Sequence, residues 1–205
     1  RNICSGACNV AVGGVSMMSL TTGSRNFTGG YQAGGGTTTG DDNISIGHQT
    51  LCGAGTGSNN IALGCMAGKE VTSAQNNIYL GQDAGRCNTT GSFNIALGDE
   101  AAYMMCCGGN NVAIGRGALK GSSTTTDNTG DSNTALGHNA GVKITTGSCN
   151  AFLGCGAGSY LTEGCYNVFI GNCAGCMVTT GSANVVIGVG VTSGGPTPSA
   201  SGSTT

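Results

Sequence analysis

Apolar and polar positions along this chain recur with a period of 17 residues. A five-residue unit, Asn–apolar–x–apolar–Gly, begins at Asn9 and returns every 17 residues to Asn111, then again from Asn133 to Asn184. The interval from Asn111 to Asn133 is 22 residues, which places a five-residue insertion within 122–131. We number each repeat, or coil, from its asparagine, so that Asn is position 1 and Gly is position 5. The eleven asparagines are Asn9, Asn26, Asn43, Asn60, Asn77, Asn94, Asn111, Asn133, Asn150, Asn167 and Asn184.

The alternation around positions 2 and 4 has the period of a β-strand, and the runs are too short and too broken by Gly for helices. One repeat cannot bury its own apolar face, whereas stacked copies can. The sequence therefore predicts an all-β fold, a parallel β-solenoid (β-helix or β-roll) of eleven 17-residue coils over residues 1–192. Stacking at the spacing between strands gives a rod roughly 50 Å long.

We expect the apolar side chains at positions 2 and 4 to point inward, with Ala at position 8 and apolar residues at position 12 completing the core. Stacked asparagines at position 1 should form an amide ladder. Glycines at positions 5 and 15 should mark corners, where positive φ is cheap only for Gly. The predicted core at position 4 is Val12, Ile46, Leu63, Leu80, Leu97, Ile114, Leu136, Leu153, Ile170 and Ile187.

Position 3 would then face outward, yet it also carries apolar residues. A strand that is apolar on both faces is usually covered on both. We therefore expect a partner chain on this face, tightest at Tyr79, Phe152, Phe169 and Val186. The alternative is that small residues at position 3 simply lie flat on an exposed sheet.

The units Asn60–Gly64, Asn94–Gly98 and Asn111–Gly115 resemble the head repeats of trimeric autotransporter adhesins. With the Ala-Gly and Thr-Thr-Gly-Ser that follow, they are also similar to repeats in tail-fibre proteins of phages and large algal viruses. The resemblance covers residues 1–192. It implies a left-handed parallel β-roll or β-helix, commonly trimeric, that serves as a surface stalk or adhesin. The 17-residue period is longer than that of the adhesin heads.

Composition narrows the classes of function. The chain has 41 Gly but only two Pro among 205 residues, which excludes collagen. Seven scattered Lys and Arg and a net charge of −2 give no basic surface for nucleic acid. No apolar run approaches the roughly 20 residues that span a bilayer. We predict no enzyme activity, no cofactor and no metal, and a location outside the cell or on a virion.

Candidate chemistry is sparse. His48 and His138 lie at position 6, five coils apart, and are interpreted as surface corners rather than acid–base groups. Cys173 and Cys176 have C-x-x-C spacing but lack the second pair that a zinc site needs. Asn88 lies in an accessible N-x-T sequon and is the candidate for glycosylation.

Two disulfides are conceivable between successive coils, where neighbouring columns can meet the Cα separation of a bridge. The pairs are Cys149 with Cys165 and Cys155 with Cys173. Unpaired corner cysteines are the alternative.

The predicted function is a non-catalytic, self-associating subunit of an extracellular or virion fibre. An adhesin shaft that binds surface glycans is the alternative, and an ice-binding protein ranks lower because its threonine column at position 14 is interrupted by Cys107 and Glu163.

The first residues enter the repeat with Ile3 at position 12, and Val191 and Thr192 keep the register. We therefore expect head-to-tail stacking, with a fragment of a longer fibre as the alternative. Residues 193–205 are expected to be an extended Gly/Ser/Thr/Pro tail.

Overall fold

The computed structural model describes residues 5–53, 55–122 and 128–190. Each repeat contributes one three-residue strand, formed by its positions 2 to 4. The strands are β1 (Val10–Val12), β2 (Phe27–Gly29), β3 (Ile44–Ile46), β4 (Ile61–Leu63), β5 (Ile78–Leu80), β6 (Ile95–Leu97), β7 (Val112–Ile114), β8 (Thr134–Leu136), β9 (Ala151–Leu153), β10 (Val168–Ile170) and β11 (Val185–Ile187).

These strands form one parallel sheet in the order of the chain, from β1 to β11. Each pairs with the next in register, as Ile61 does with Ile78 and Leu63 with Leu80. Residues at the same repeat position therefore stack into columns along the rod. The predicted all-β parallel solenoid is confirmed, and no helix occurs within the three described ranges.

The prediction of which strand face lies inside was wrong. Position 3 is buried from β2 to β10, whereas Val12 is 62% exposed and Ile187 is 71% exposed. Every residue of the predicted position-4 core is partly or fully exposed: Val12, Ile46, Leu63, Leu80, Leu97, Ile114, Leu136, Leu153, Ile170 and Ile187. The physical reason is the inward asparagine, because side chains alternate along a strand and position 3 shares the face of position 1.

The interior is narrow and is filled mainly by small side chains. Position 3 packs with the alanines of position 8 and with the residues of positions 9 and 12. Ala67, Ala84 and Ala118 at position 8 have no exposed surface, and Ile144 and Leu161 at position 12 are equally buried. The predicted core contributions of positions 8 and 12 are thus confirmed.

The sizes of the side chains at positions 3 and 9 are complementary within a coil. Phe169 at position 3 faces Gly175 at position 9, where an added Cβ would lie 2.6 Å from the phenyl ring. In the coil of β7 the sizes are reversed, with Ala113 at position 3 and Leu119 at position 9, both fully buried. Because the space inside a coil is fixed, a large residue at one position requires a small one at the other.

The predicted asparagine ladder is present. Asn43 donates from its backbone N–H (2.9 Å) and from Nδ2 (3.0 Å) to Oδ1 of Asn26, and Nδ2 also donates to the Gly57 carbonyl (2.9 Å). The bond from the backbone N–H to Oδ1 of the preceding asparagine recurs at every step from Asn9 to Asn184. Each asparagine thereby satisfies backbone groups that the narrow interior would leave without partners.

Two further ladders explain the Thr-Thr-Gly-Ser motif. Threonine hydroxyls at position 13 donate to the carbonyl one coil ahead, as Thr72 does to Thr89 (3.0 Å). Side chains at position 16 accept the backbone N–H of the preceding coil, as Ser92 does from Gln75 (3.0 Å). The first threonine and the serine of the motif therefore both bond to neighbouring coils through their side chains.

The corners depend on unusual backbone angles. The position-5 glycines all have φ between 125° and 140°, a region open only to Gly. The glycines of position 15 serve a different purpose from the one predicted, because a Cβ at Gly40 would lie 2.1 Å from the Gly57 carbonyl oxygen. At position 17 all eleven residues are left-handed, with φ between 56° and 61°.

The insertion in the coil of β7 leaves the stacking intact. Residues 123–127 lie outside the described ranges, but Cys106 N–H donates to the Asn128 carbonyl (3.2 Å), and the ladder resumes at Asn133. The Asn128 side chain accepts from Ser122 N–H (3.1 Å) and donates to the Ser122 carbonyl (3.1 Å). These two bonds tie the ends of the inserted segment together.

Candidate self-association surface

Two parallel columns of aliphatic side chains run along the outside of the sheet, at positions 2 and 4. We call this surface the aliphatic strip. Its exposure is largest at Ile187 (71%), Val12 (62%) and Val185 (51%). No Asp, Glu, Lys or Arg occurs at positions 1 to 5 of any repeat. The strip is therefore an uncharged and mainly apolar surface along the sheet, interrupted at Gly29, which has no side chain, and at Thr134.

The size of the strip follows from strand geometry. Eleven strands at about 4.8 Å give a length of about 50 Å, and two columns separated by about 6.7 Å give a width near 10 Å with their side chains. The resulting area of about 500–600 Å² is at the upper end of the patches found on monomeric proteins. A patch of this size is a candidate contact surface.

The predicted lateral interface was wrong in its residues. Tyr79, Phe152 and Phe169 have no exposed surface, and Val186 is only partly exposed and packs against the core. The Phe152 and Phe169 rings pack on each other inside the rod, with centroids 5.9 Å apart. From β2 to β10 position 3 is therefore closed to a partner, and the face of the sheet that is open to solvent is the aliphatic strip.

The predicted glycosylation site was also wrong. Asn88 is 2% exposed and occupies position 12, where most other coils place an apolar residue. Its Nδ2 donates to the Tyr79 hydroxyl (2.8 Å) and to the Gly91 carbonyl (3.0 Å), and its Oδ1 accepts from Gly91 N–H (2.8 Å). The amide serves to satisfy the buried phenol, because an unpaired polar group inside would be costly.

The structure contains neither predicted disulfide. Cys149, Cys165, Cys155 and Cys173 are all unbridged thiols. Cys165 Sγ accepts the N–H of Ser148, the residue below it in its own column, at 3.3 Å. The predicted pairs join different columns, whereas the stacking brings together side chains of the same column.

The sequence analysis missed two Cys–His contacts at position 6. Cys65 Sγ lies 3.7 Å from His48 Nδ1, and Cys155 Sγ lies 3.7 Å from His138 Nδ1. The signal was available, since each histidine is followed 17 residues later by a cysteine. The Tyr31 ring stacks on His48 with centroids 5.7 Å apart, which orients the imidazole.

The threonine columns behave as the sequence predicts. Position-14 threonines such as Thr22, Thr90 and Thr146 are exposed, whereas those at position 13 donate their hydroxyls to backbone carbonyls. Cys107 and Glu163 are also exposed and interrupt the outer column. The outer threonines thus form one interrupted column rather than the array that ordered water would require.

Two ion pairs lie away from the strip, at positions 7 and 10. Arg86 pairs with Asp83 (3.2 Å), and Lys120 pairs with Glu100 (2.7 Å). The Tyr103 ring lies between the two cations, with Arg86 Cζ 5.6 Å and Lys120 Nζ 5.8 Å from its centroid. These charges lie away from the strip, whereas Asp99 and Arg116 at position 6 lie directly beside it.

Several predictions concern residues outside the described ranges. They include Ile3, Val191 and Thr192, which carry the head-to-tail prediction, and the tail at 193–205. Within the described ranges no helix has the length and apolar character that a membrane crossing demands. Scans against models of protein families, curated proteins and solved structures found no match to this chain, so its function is argued from its own residues.

Proposed function

We propose that this chain is a non-catalytic structural subunit of an extracellular or virion-surface fibre, and that its copies associate laterally through the aliphatic strip. The supporting observation is the strip itself, an uncharged and mainly apolar surface along the sheet. Leaving such a surface in water is unfavourable by roughly 25 cal/mol for each Å². A rigid rod with one apolar side is suited to bundling.

A second copy fits this surface better than a partner of another shape. The columns repeat at the spacing of the coils, and another solenoid has the same repeat along its full length. Two strips together would bury about 1,000–1,200 Å², which reaches the lower limit of specific interfaces. Side chains of the two strips can pack against each other in a dry contact, as in paired sheets.

The thiols whose pKa is shifted support a non-catalytic role. Burial raises the pKa of the Cys106 thiol to about 11, and burial is also the main cause that raises the pKa of the Cys87 and Cys176 thiols. A nucleophilic cysteine requires the opposite shift, because the thiolate is the reactive form.

A glycan-binding shaft is the second candidate. Its supporting observation is the set of exposed aromatic rings at position 17, where Phe93 is 60% exposed and Tyr166 is 69% exposed. Exposed rings of this kind present apolar faces on which sugar rings can stack. Binding of the purified chain to a glycan array, and its loss in Tyr166→Ser, would favour this candidate.

Lateral association can be tested with two charges on the strip. Leu63→Lys with Leu136→Lys should abolish association, because each desolvated ammonium would be buried at the contact. The matched control is Thr90→Lys with Thr146→Lys, which adds the same charge to the exposed position-14 column. Sedimentation velocity over a range of concentrations measures association, and circular dichroism checks folding. The proposal fails if wild type stays monomeric, or if both variants associate equally.

A further inference from the structure

The two Cys–His contacts have the chemistry of metal ligands. Zn²⁺ is bound by thiolate and imidazole, and its protein sites take four ligands in a tetrahedron. Within the described ranges no three His, Cys, Asp or Glu side chains converge in one chain. Each contact, His48 with Cys65 and His138 with Cys155, therefore supplies half of a zinc site.

The other half is available from a second copy. Counting coils from Asn9, His48 and Cys65 lie in coils 3 and 4, and His138 and Cys155 lie in coils 8 and 9. The two pairs are therefore placed symmetrically about coil 6. A two-fold axis through coil 6, parallel to the strands, lays a second copy antiparallel with strip against strip. His48 then meets Cys155 of the second copy, and Cys65 meets its His138.

The distances are compatible with a bridging metal. Packed sheets lie about 10 Å apart, and neighbouring coils are separated by about 4.8 Å. Position 6 directly follows the glycine that ends the strip, and in the antiparallel arrangement both copies present it at the same edge. In a parallel arrangement the two position-6 columns would lie at opposite edges, and no site would form.

The rest of the position-6 column accommodates this pairing. Arg116 of one copy faces Gln82 of the other, and because Gln82 is neutral, this pair brings no like charges together. Asp99 faces its own equivalent, and the repulsion is reduced because Arg116 Nε lies 3.3 Å from Asp99 Oδ2 within each chain. In this arrangement, position 6 therefore brings no unpaired like charges of the two copies face to face.

We propose that two copies dock antiparallel through the aliphatic strip and form two equivalent zinc sites. Each site consists of His48 and Cys65 of one copy and His138 and Cys155 of the other. The inference rests on the proposed lateral association and adds its orientation and a ligand. Thiolate and imidazole together favour zinc over the hard cations, which prefer oxygen.

The decisive experiment is complementation between two double variants of the full chain. One carries His48→Ala with Cys65→Ser, and the other His138→Ala with Cys155→Ser. Alone, each should lose tight zinc binding, because every site keeps only two ligands. In a mixture, half of the dimers are mixed and each regains one complete site. Zinc should therefore return to about a quarter of the wild-type content.

Zinc content is measured after incubation of reduced protein with zinc chloride and removal of free metal. Cobalt substitution adds a thiolate charge-transfer band that reports a tetrahedral site. The matched control is Cys149→Ser, an exposed cysteine at position 17, which should leave zinc content unchanged. Circular dichroism should show that all variants remain folded, since the replaced side chains lie at the surface.

Three outcomes would overturn the site. These are wild type that binds no zinc, a mixture that regains none, or a double variant that keeps the full content. If wild type associates in the presence of a chelator but shows one of these outcomes, the strip contact stands and the zinc site fails. If wild type does not associate under any condition, the proposed function fails as well.

Discussion

The two faces of the sheet carry side chains of different size, and the larger aliphatic ones lie on the outer face, where polar residues would ordinarily be expected. The inner face at position 3 carries mostly small side chains, such as Ala62, Ala96 and Ala113, all without exposed surface. The outer face carries the larger Val, Ile and Leu residues, which are partly or fully exposed. Inside a narrow coil, volume rather than hydrophobicity determines what fits, so the most hydrophobic columns can lie outside.

The largest effect should come from charging adjacent residues on the two faces of one strand. Ala96→Asp places a carboxylate in the closed interior, and we expect it to lower the free energy of unfolding by at least about 3 kcal/mol. Leu97→Asp places the same group on the strip, and the loss should be below about 1 kcal/mol. Thermal melting followed by circular dichroism measures both. Equal losses in the two variants would mean that the faces are not distinct.

An intermediate effect should come from exchanging volumes inside. Phe169→Ala should cost about 3–5 kcal/mol through the cavity it leaves. Gly175→Leu should cost about 1–3 kcal/mol, because its side chain would overlap the phenyl ring. The double variant reproduces the arrangement of Ala113 and Leu119, where Leu119 has the same left-handed backbone (φ 46°).

The double variant should therefore be more stable than the sum of the single losses predicts, by about 0.5–3 kcal/mol. Denaturant unfolding of the four proteins completes the cycle. Simple additivity would show that positions 3 and 9 do not share one space.

The smallest effect concerns the buried phenol. Burial raises the pKa of Tyr79 far above its ordinary value, although the Asn88 hydrogen bond lowers it somewhat. The folded state thus holds this proton more tightly than the unfolded state, so stability is complete below about pH 10 and falls as pH rises. The slope should reach about 1.4 kcal/mol per pH unit.

Tyr79→Phe should remove this slope while costing only about 1 kcal/mol at neutral pH. Unfolding measured from pH 8 to 11 compares the two proteins. A wild-type curve parallel to that of the variant would contradict burial of the hydroxyl.

Much of the fold could be predicted from the spacing of eleven asparagines, because a repeat that stacks in register has few alternatives. The inner face could also have been predicted. If Asn60 points inward, so must Ala62 and not Leu63, since side chains alternate along a strand. The position of Asn88 in its repeat already indicated burial, but its hydrogen bond to Tyr79, nine residues away, could not have been predicted from a local signal. To predict the Cys–His contacts, one had to compare residues at the same repeat position in successive coils, because stacking in register brings these side chains together.

The three ladders have a consequence for the length of the molecule. The asparagine of every coil bonds to its neighbours in the stack, and threonines and serines at positions 13 and 16 do so where they occur, so an added coil can continue these bonds. Gain or loss of one 17-residue unit would lengthen or shorten the rod by about 4.8 Å and leave the cross-section unchanged. The number of repeats thus sets the length of the rod, and evolution can change that length in steps of one coil.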